Sequence, residues 1–256
     1  MAPPEPCAHA AGHPPSLSPG DALFADFDGT LVELAPTPAD IRVSPALPGL
    51  LTGLSARLGG AVALVSGRSL ADLAPLVAPF GGAMVGQHGN EIRYPDGRLS
   101  RGAGDGVPDH AIRAARAALA PFAARHPGIM LEDKGGTIAL HYRGAPDLGE
   151  PCRQVARAAI EAAGGRLRAI DGNRVIELVP RRVGKGRAIA TLAAEPPFRG
   201  RVAVFVGDDA TDEDGFAAVR ALRGVSVKVG PGPSAAQYRL PDVAAVWAWI
   251  GRWAQA

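Results

Sequence analysis

Ala22-Leu23-Phe24-Ala25-Asp26-Phe27-Asp28-Gly29-Thr30 is the stretch on which the reading of this chain turns. Ala22 to Phe27 is short and apolar and runs into a turn, the pattern of a buried strand. Its last residues add two carboxylates two positions apart and then a glycine. Standing alone, such a pair is as often a hydrogen-bonded turn as a reactive one. Its weight depends on how the other strands of the chain end.

Working outward, Pro45 to Leu58 has helical spacing, and Ala61 to Val65 is a second apolar strand ending at Ser66-Gly67-Arg68. Leu70 to Val77 reads as a helix, and Met84-Val85 as a short strand running into Gln87-His88-Gly89. Far downstream, Val202 to Val206 ends in Gly207-Asp208-Asp209, and Val225 to Val229 ends in Gly-Pro-Gly. Strands separated by helices predict an α/β fold, a doubly wound, Rossmann-like parallel sheet. Such sheets bind ligands beyond the carboxyl ends of their strands. Here those ends carry Asp26, Asp28, Ser66, Asp208 and Asp209.

Between residues 107 and 182 the rhythm changes. Asp109 to Ala124 is an amphipathic helix, and Ile129 to Glu132 and Thr137 to Tyr142 read as strands joined through Gly135-Gly136. A helix over Gln154 to Ala162 follows, then strands Arg166 to Ile170 and Arg174 to Val179. Two hairpins and two helices predict an α+β unit inserted into the larger sheet. The expected organisation is a flexible Pro/Ala-rich tail over 1–20, a core over 21–106 and 183–256, and a cap over 107–182. Gly102, Gly104 and Gly106 on one side, with Val183-Gly184 on the other, are the expected hinges. The C-terminal helix, with Val246, Trp247, Ile250 and Trp253 on one side, is expected to dock on the core.

Composition narrows the function classes. The chain has 256 residues, 47% of them hydrophobic, and 27 basic against 25 acidic side chains. That balance offers no basic field for nucleic acid or an anionic membrane. No apolar run approaches the ~18–20 residues that span a bilayer, and the N-terminus lacks the pattern of a secretory signal. Cys7 and Cys152 are too few for a disulfide framework or a metal cluster. A cytoplasmic, monomeric protein acting on a small molecule is the expectation. Only Lys134, Lys185 and Lys228 are lysines, against 24 arginines, so each lysine is expected where an ammonium is needed.

The strand ends supply a chemistry. Ser66 is placed to offer its backbone N–H to a phosphoryl oxygen. Lys185, between Gly184 and Gly186, opens a helix and is placed to neutralise an oxyanion. Gly207 to Asp214 concentrates five acidic residues after a fully apolar strand. Carboxylates crowded at a cleft mouth repel unless a divalent cation joins them, and hard oxygen donors suit Mg²⁺. His88 has no second His or Cys at a ligand spacing.

In this order, D-x-D-G-T, S-G-R, K-G and G-D-D-x-T-D-E resemble the haloacid dehalogenase superfamily of aspartate-nucleophile phosphohydrolases, and the insertion resembles its α+β cap. The finer resemblance is to the trehalose-6-phosphate phosphatase family. It rests on Gln87-His88-Gly89-Asn90-Glu91, Leu131-Glu132-Asp133-Lys134-Gly135, Ala139-Leu140-His141-Tyr142-Arg143, Arg174 to Pro180, Gly184-Lys185-Gly186 and Val227-Lys228-Val229-Gly230, and it covers roughly residues 20–250. The resemblance implies that Asp26 is the nucleophile and Asp28 the acid and base. It implies Mg²⁺ on the Asp26 carboxylate, the Asp28 backbone carbonyl and Asp208, with Asp209 and Asp212 behind them. Ser66 and Lys185 would take the remaining phosphoryl oxygens.

For the sugar phosphate itself, the resemblance implies Arg68, Glu132, Lys134 and Glu177, with His88, Asn90 and Glu91 as further contacts. An ordinary surface salt bridge remains the other reading of Glu132 and Lys134. The rival functions are a phosphatase for sucrose 6-phosphate or a glycosyl-phosphoglycerate, a phosphosugar mutase, and a non-catalytic regulatory module.

Overall fold

β1 (Asp21–Ala25) is buried along its whole length and forms the middle of a parallel sheet. The computed structural model describes residues 12–35, 40–101, 109–172 and 174–255. The chain divides into two compact units, Met1–Leu99 with Gly184–Ala256, and Ser100–Val183.

In the first unit the chain runs from β1 through α1 (Leu47–Arg57), β2 (Val62–Val65), α2 (Leu70–Leu76), β3 (Ala83–Gly86) and β4 (Glu91–Arg93) to β5 (Leu99–Arg101). The second unit contributes α3 (Asp109–Arg125), β6 (Met130–Asp133), β7 (Ile138–His141), α4 (Gly149–Ala162), β8 (Leu167–Gly172) and β9 (Val175–Pro180). The chain then completes the first unit with α5 (Lys185–Ala193), β10 (Val202–Gly207), α6 (Glu213–Ala221), β11 (Val225–Val229), β12 (Tyr238–Leu240) and α7 (Val243–Gln255).

The larger sheet has the order β12-β11-β10-β1-β2-β3-β4-β5, parallel from β12 to β3, with β4 antiparallel to β3. Strands of a parallel sheet are covered on both faces, so they read as unbroken apolar runs, as β2 (VALV) and β10 (VAVFVG) do. β1 pairs Phe24 with Phe205 of β10; Phe24 stacks on Phe198 at 5.2 Å and Phe205 meets Phe216 at 5.3 Å. All four rings are buried, each worth about 1.5–3 kcal/mol of apolar transfer. Around the sheet α1 packs against α7, and α5 against α6.

The second unit is an antiparallel sheet of order β6-β7-β9-β8 with α3 and α4. Strand alternation sorts its side chains onto two faces. Ile138, Leu140, Ile176, Leu178 and Leu167 pack with Ala115 and Leu119 of α3 and Cys152 and Ala156 of α4 in a core of their own. On the alternate face the register sets Glu132 opposite Ala139 and Ala139 opposite Glu177, one row across three strands.

Several particulars differ from the sequence expectation. Residues 12–20, read as tail from their composition, are in place: Leu17 is buried and the Pro15 carbonyl accepts the Trp249 indole N–H at 2.9 Å. Pro and Ser made that segment look unstructured, whereas buried Leu17, the Pro15 carbonyl and the Pro19 carbonyl, which accepts from Arg201 Nη1 at 2.6 Å, tie it to the core. α4 begins at Gly149, earlier than Gln154. β4, β5, α6 and β12 carry no separate expectation. On α7, Val246, Trp249 and Ile250 are buried, and Trp247 donates its indole N–H to the Leu31 carbonyl at 2.8 Å, so this helix docks on the core. Cys7, Gly102, Gly104 and Gly106, and the expected 106/107 boundary, lie outside the described residues.

Candidate active site

Because β1 pairs with β10 on one side and β2 on the other, three motif-bearing strand ends lie side by side. Asp26 follows β1 directly and its N–H continues the ladder to the Val206 carbonyl at 2.9 Å. Its Oδ1 accepts a hydrogen bond from the Lys185 ammonium at 2.7 Å, and the same ammonium donates to Asp212 Oδ1 at 2.7 Å. All three side chains are buried. Lys185 comes from the first residue of α5, capped by Gly184 in an extended conformation.

The acidic run after β10 is a folded turn. Asp212 Oδ2 accepts the N–H groups of Asp208 at 2.9 Å and Asp209 at 3.0 Å, while Asp209 Oδ1 accepts the Thr211 N–H and hydroxyl, each at 2.6 Å. Asp209 and Asp212 thereby form a capping box. Lys228 on β11 donates to the backbone carbonyls of Asp208 and Val229, which fixes the Asp208 peptide.

Ser66 is buried at the end of β2. Its backbone N–H donates to the Val85 carbonyl at 2.9 Å as part of the sheet, so the expected N–H to a phosphoryl oxygen is already engaged. The hydroxyl is what Ser66 has to offer; its oxygen accepts the Arg68 N–H at 3.1 Å. Arg68 forms a two-pronged ion pair with Asp28, Nε to Oδ2 at 2.7 Å and Nη2 to Oδ1 at 2.6 Å.

The segment after β3 is tied to the same turn. Gln87 and His88 both have left-handed backbone, φ 48° and 56°, a conformation that costs a non-glycine residue about 1–3 kcal/mol. Donation from Gln87 N–H to the Arg68 carbonyl at 2.7 Å and from His88 N–H to the Ser66 carbonyl at 3.0 Å holds it. His88 lies over Gly67, where a Cβ would sit 2.6 Å from its Nε2, so a side chain at position 67 would force the imidazole to move. Asn90 donates to Gln87 Oε1 at 3.0 Å, and Glu91 accepts the Leu70 N–H at the start of α2 at 2.9 Å. These two expected sugar contacts thus brace the turn.

The charges of this cluster are unequal. Burial pushes the Asp26 carboxyl well above its ordinary range, with Lys185 pulling it back. Burial also raises Asp212. Asp208 is pushed up to about 6 by burial first and then by repulsion from Asp212 and Asp209. Burial opposes the Lys185 ammonium, yet Asp212 and Asp26 outweigh it and hold its pKa well above the usual value. Asp209 is lowered: burial works against its charge, but Lys185 and the Thr211 hydrogen bonds prevail.

Asp26, Asp208 and Asp212 each offer a carboxylate oxygen, and these oxygens lie within 4.8 Å of one another. One ammonium does not balance them, and the donors are all hard oxygens, so the set fits a divalent cation. Gly29, at φ +85°, leaves the space that the Asp208 carboxylate fills: a Cβ there would meet Asp208 Oδ2 at 2.1 Å. Asp28 directs its side chain to Arg68, so its carbonyl is the group it has left for an ion.

In the second unit, Glu177 is buried and accepts from the Thr137 hydroxyl at 2.8 Å and from Lys134 at 3.3 Å. Glu132 pairs with His141 Nε2 at 2.8 Å. That hydrogen bond lowers the Glu132 pKa against the effect of burial. Thr137, His141 and Lys228 were given no role by sequence reasoning. The rarity of lysine pointed at Lys228; the other two become visible only through strand register.

The trehalose-phosphatase family model matches residues 24–244 of this chain. A probable trehalose-phosphate phosphatase of Sinorhizobium fredii is 42% identical over 210 residues, spanning 82% of this chain and 78% of that protein. The trehalose-6-phosphate phosphatase of Escherichia coli is 40% identical over 236 residues, 92% of this chain and 87% of that one. Among solved structures, the C-terminal domain of the trehalose-6-phosphate phosphatase of C. albicans superimposes with a TM-score of 0.80 over 93% of both chains, at 21% identity, a likeness of fold.

Proposed function

The chain belongs to the trehalose-phosphatase family, and from that premise we propose that it hydrolyses trehalose 6-phosphate to trehalose and phosphate with Asp26 as nucleophile. The observation that carries the chemistry is the Lys185 ammonium 2.7 Å from Asp26 Oδ1, with Asp208 and Asp212 beside it. A carboxylate so held is aimed by one oxygen and left with the other for attack.

In the first step an Asp26 oxygen bonds to phosphorus as the bond from phosphorus to the sugar oxygen breaks, and Asp28 gives that oxygen its proton. In the second, Asp28 takes a proton from water, whose oxygen bonds to phosphorus while the aspartyl–phosphorus bond breaks. Lys185 and the Ser66 hydroxyl hold the other phosphoryl oxygens, so the charge on the transferring group is met at several points. A divalent metal, which we take to be Mg²⁺ from the all-oxygen donor set, would be held by Asp26, the Asp28 carbonyl and Asp208 and would offset the charge of the phosphate dianion. Asp212 keeps Lys185 and the Asp208 peptide in place, and Asp209 caps the same turn.

Sugar recognition we assign to Glu132, Lys134 and Glu177 in the second unit, a cap proposed to run over 107–182. A disaccharide presents hydroxyl groups, and a mixed row of carboxylates and an ammonium provides acceptors and donors for them. His88 and Asn90 are proposed as further contacts. Among the described residues no helix is long and apolar enough to cross a membrane.

The test is phosphate release from trehalose 6-phosphate beside sucrose 6-phosphate and glucose 6-phosphate, with Mg²⁺ and with EDTA, for the wild type and Asp26→Asn. Metal-dependent release from trehalose 6-phosphate alone, lost in the variant, is expected. Release from another sugar phosphate instead would remove the assignment of Glu132, Lys134 and Glu177, and undiminished release by Asp26→Asn would remove the nucleophile.

A further inference from the structure

Ser66-Gly67-Arg68 joins the first two motifs physically, through Arg68. The Arg68 guanidinium grips both oxygens of Asp28, at 2.7 Å and 2.6 Å. Two parallel N–H···O bonds fix the plane of a carboxylate as well as its position, which a single contact does not. The arginine is itself immobilised at several points. Its N–H donates to Ser66 Oγ, its carbonyl accepts the Gln87 N–H, and its guanidinium lies over the Phe27 ring at 5.9 Å. Only 13% of the Arg68 side chain is exposed, against 31% for Asp28. The more buried, more anchored group therefore holds the less anchored one.

We propose that Arg68 is the positioning residue for Asp28, setting the carboxyl group at the angle from which it passes its proton to the sugar oxygen. The proposal rests on the reading of Asp28 as acid and base. Proton transfer needs heavy atoms about 2.6–3.2 Å apart, and among the described residues Arg68 is the side chain that holds this partly exposed aspartate on its turn. The fork also matches both halves of the reaction. With Asp28 protonated, one oxygen carries the hydrogen towards the leaving group and the other accepts from Arg68. Once the proton has gone to the sugar oxygen, both oxygens accept, and the fork is in the closed form seen in the structure. When Asp28 then takes a proton from water, one prong opens again. Lysine, a point charge without the planar pair of donors, reproduces only part of this.

The experiment compares wild type, Arg68→Ala, Arg68→Lys, Asp28→Asn and the double variant Arg68→Ala/Asp28→Asn. Each is assayed on trehalose 6-phosphate and on 4-nitrophenyl phosphate, whose leaving group departs without a proton. General acid catalysis contributes about 10²–10⁴-fold, so Arg68→Ala should lower kcat on trehalose 6-phosphate by about 100-fold with KM nearly unchanged. On 4-nitrophenyl phosphate the first, nitrophenolate-releasing turnover, which needs no proton, should stay within about threefold of wild type, while steady-state turnover falls because Asp28 must still take a proton from water. Arg68→Lys should recover part of the loss, and Arg68→Ala should cost nothing further once Asp28 is Asn.

Equal losses in the first turnover of both phosphates, a raised KM with kcat kept, or losses that multiply in the double variant would each overturn the proposal, since they mark Arg68 as a phosphate or sugar contact. Asp28→Asn losing equally in the first turnover of both substrates would instead overturn the role of Asp28 as acid. Thermal melts of both Arg68 variants within a few degrees of wild type keep a folding defect apart from these outcomes, and Arg68→Lys carries the comparison if Arg68→Ala melts early.

Discussion

The two units handle charge in opposite ways. In the first, Asp26, Lys185 and Asp212 are buried together, Asp26 at the end of β1, Asp212 in the turn after β10 and Lys185 at the start of α5. Each bonds to another, and a change at one is felt by all. In the second, charge sits on one face of an antiparallel sheet. Glu132 pairs with His141, and Glu177 with Thr137 and Lys134, at distances from 2.8 to 3.3 Å, while the opposite face of the same strands carries the core. The first arrangement suits reacting atoms, which need fixed geometry and unscreened charge. The second suits hydroxyl recognition, which needs a varied row of donors and acceptors.

Four substitutions break or sharpen that contrast. The largest effect is expected from Lys185→Met, which leaves Asp26 and Asp212 buried without their cation. Removing one partner of a buried ion pair costs about 3–5 kcal/mol, and urea unfolding should read it together with loss of turnover. A cost near zero would mean that the carboxylates do not depend on the ammonium. Thr137→Val, nearly isosteric, deprives buried Glu177 of a hydrogen bond and should cost about 1–3 kcal/mol, with KM for trehalose 6-phosphate raised several-fold. If unfolding is unchanged, the second unit is looser than its geometry implies.

Lys134→Met tests the partly exposed member of the same group. It should cost less than about 1 kcal/mol and raise KM while sparing kcat, the mark of lost uniform binding. An equal fall in kcat would place Lys134 with the chemistry instead. The smallest effect concerns Glu132, whose carboxyl titrates below its ordinary 4.5 because of His141. A lowered carboxyl adds stability above pH 4.5, and that stability fades as pH falls through the lowered value. The melting difference between wild type and Glu132→Gln should therefore be present at pH 6 and vanish towards pH 3. A difference that grows on acidification would contradict the pairing.

Much of the first unit is legible in the sequence because its strands are unbroken apolar runs and its reactive residues stand at their ends. β1, β2 and β10 leave little else to read, and Asp26, Ser66 and Asp208 follow from them. Legibility stopped where a residue's partner is set by register or by a turn. The Ser66 N–H looked available because nothing in the local sequence shows that Val85 pairs with it. Asp28 and Arg68 are forty positions apart, and no periodicity links them. α6 was hidden in its own capping residues: Glu213 and Asp214 in a first turn favour the helix N-terminus, but beside Asp208 and Asp209 they read as part of an acidic cluster. In the second unit, Thr137 meets Glu177 across the β7–β9 pairing, whose register alternation alone does not determine.

The pairing of β1 with β10 sets Asp21 beside Val202, and this governs how the protein comes into being on the ribosome. The strand that leads into Asp26 emerges well before β10, which arrives only after the whole of Ser100–Val183 has been made. Closing so long a loop is slow and entropically unfavourable. The second unit is contiguous, built from antiparallel neighbours, and can condense while the chain is still growing. The segment with the residues proposed for recognition is thus complete before the larger sheet is. Asp26, the proposed nucleophile, waits with β2 for company until Lys185 and β10 come out of the exit tunnel to complete its surroundings.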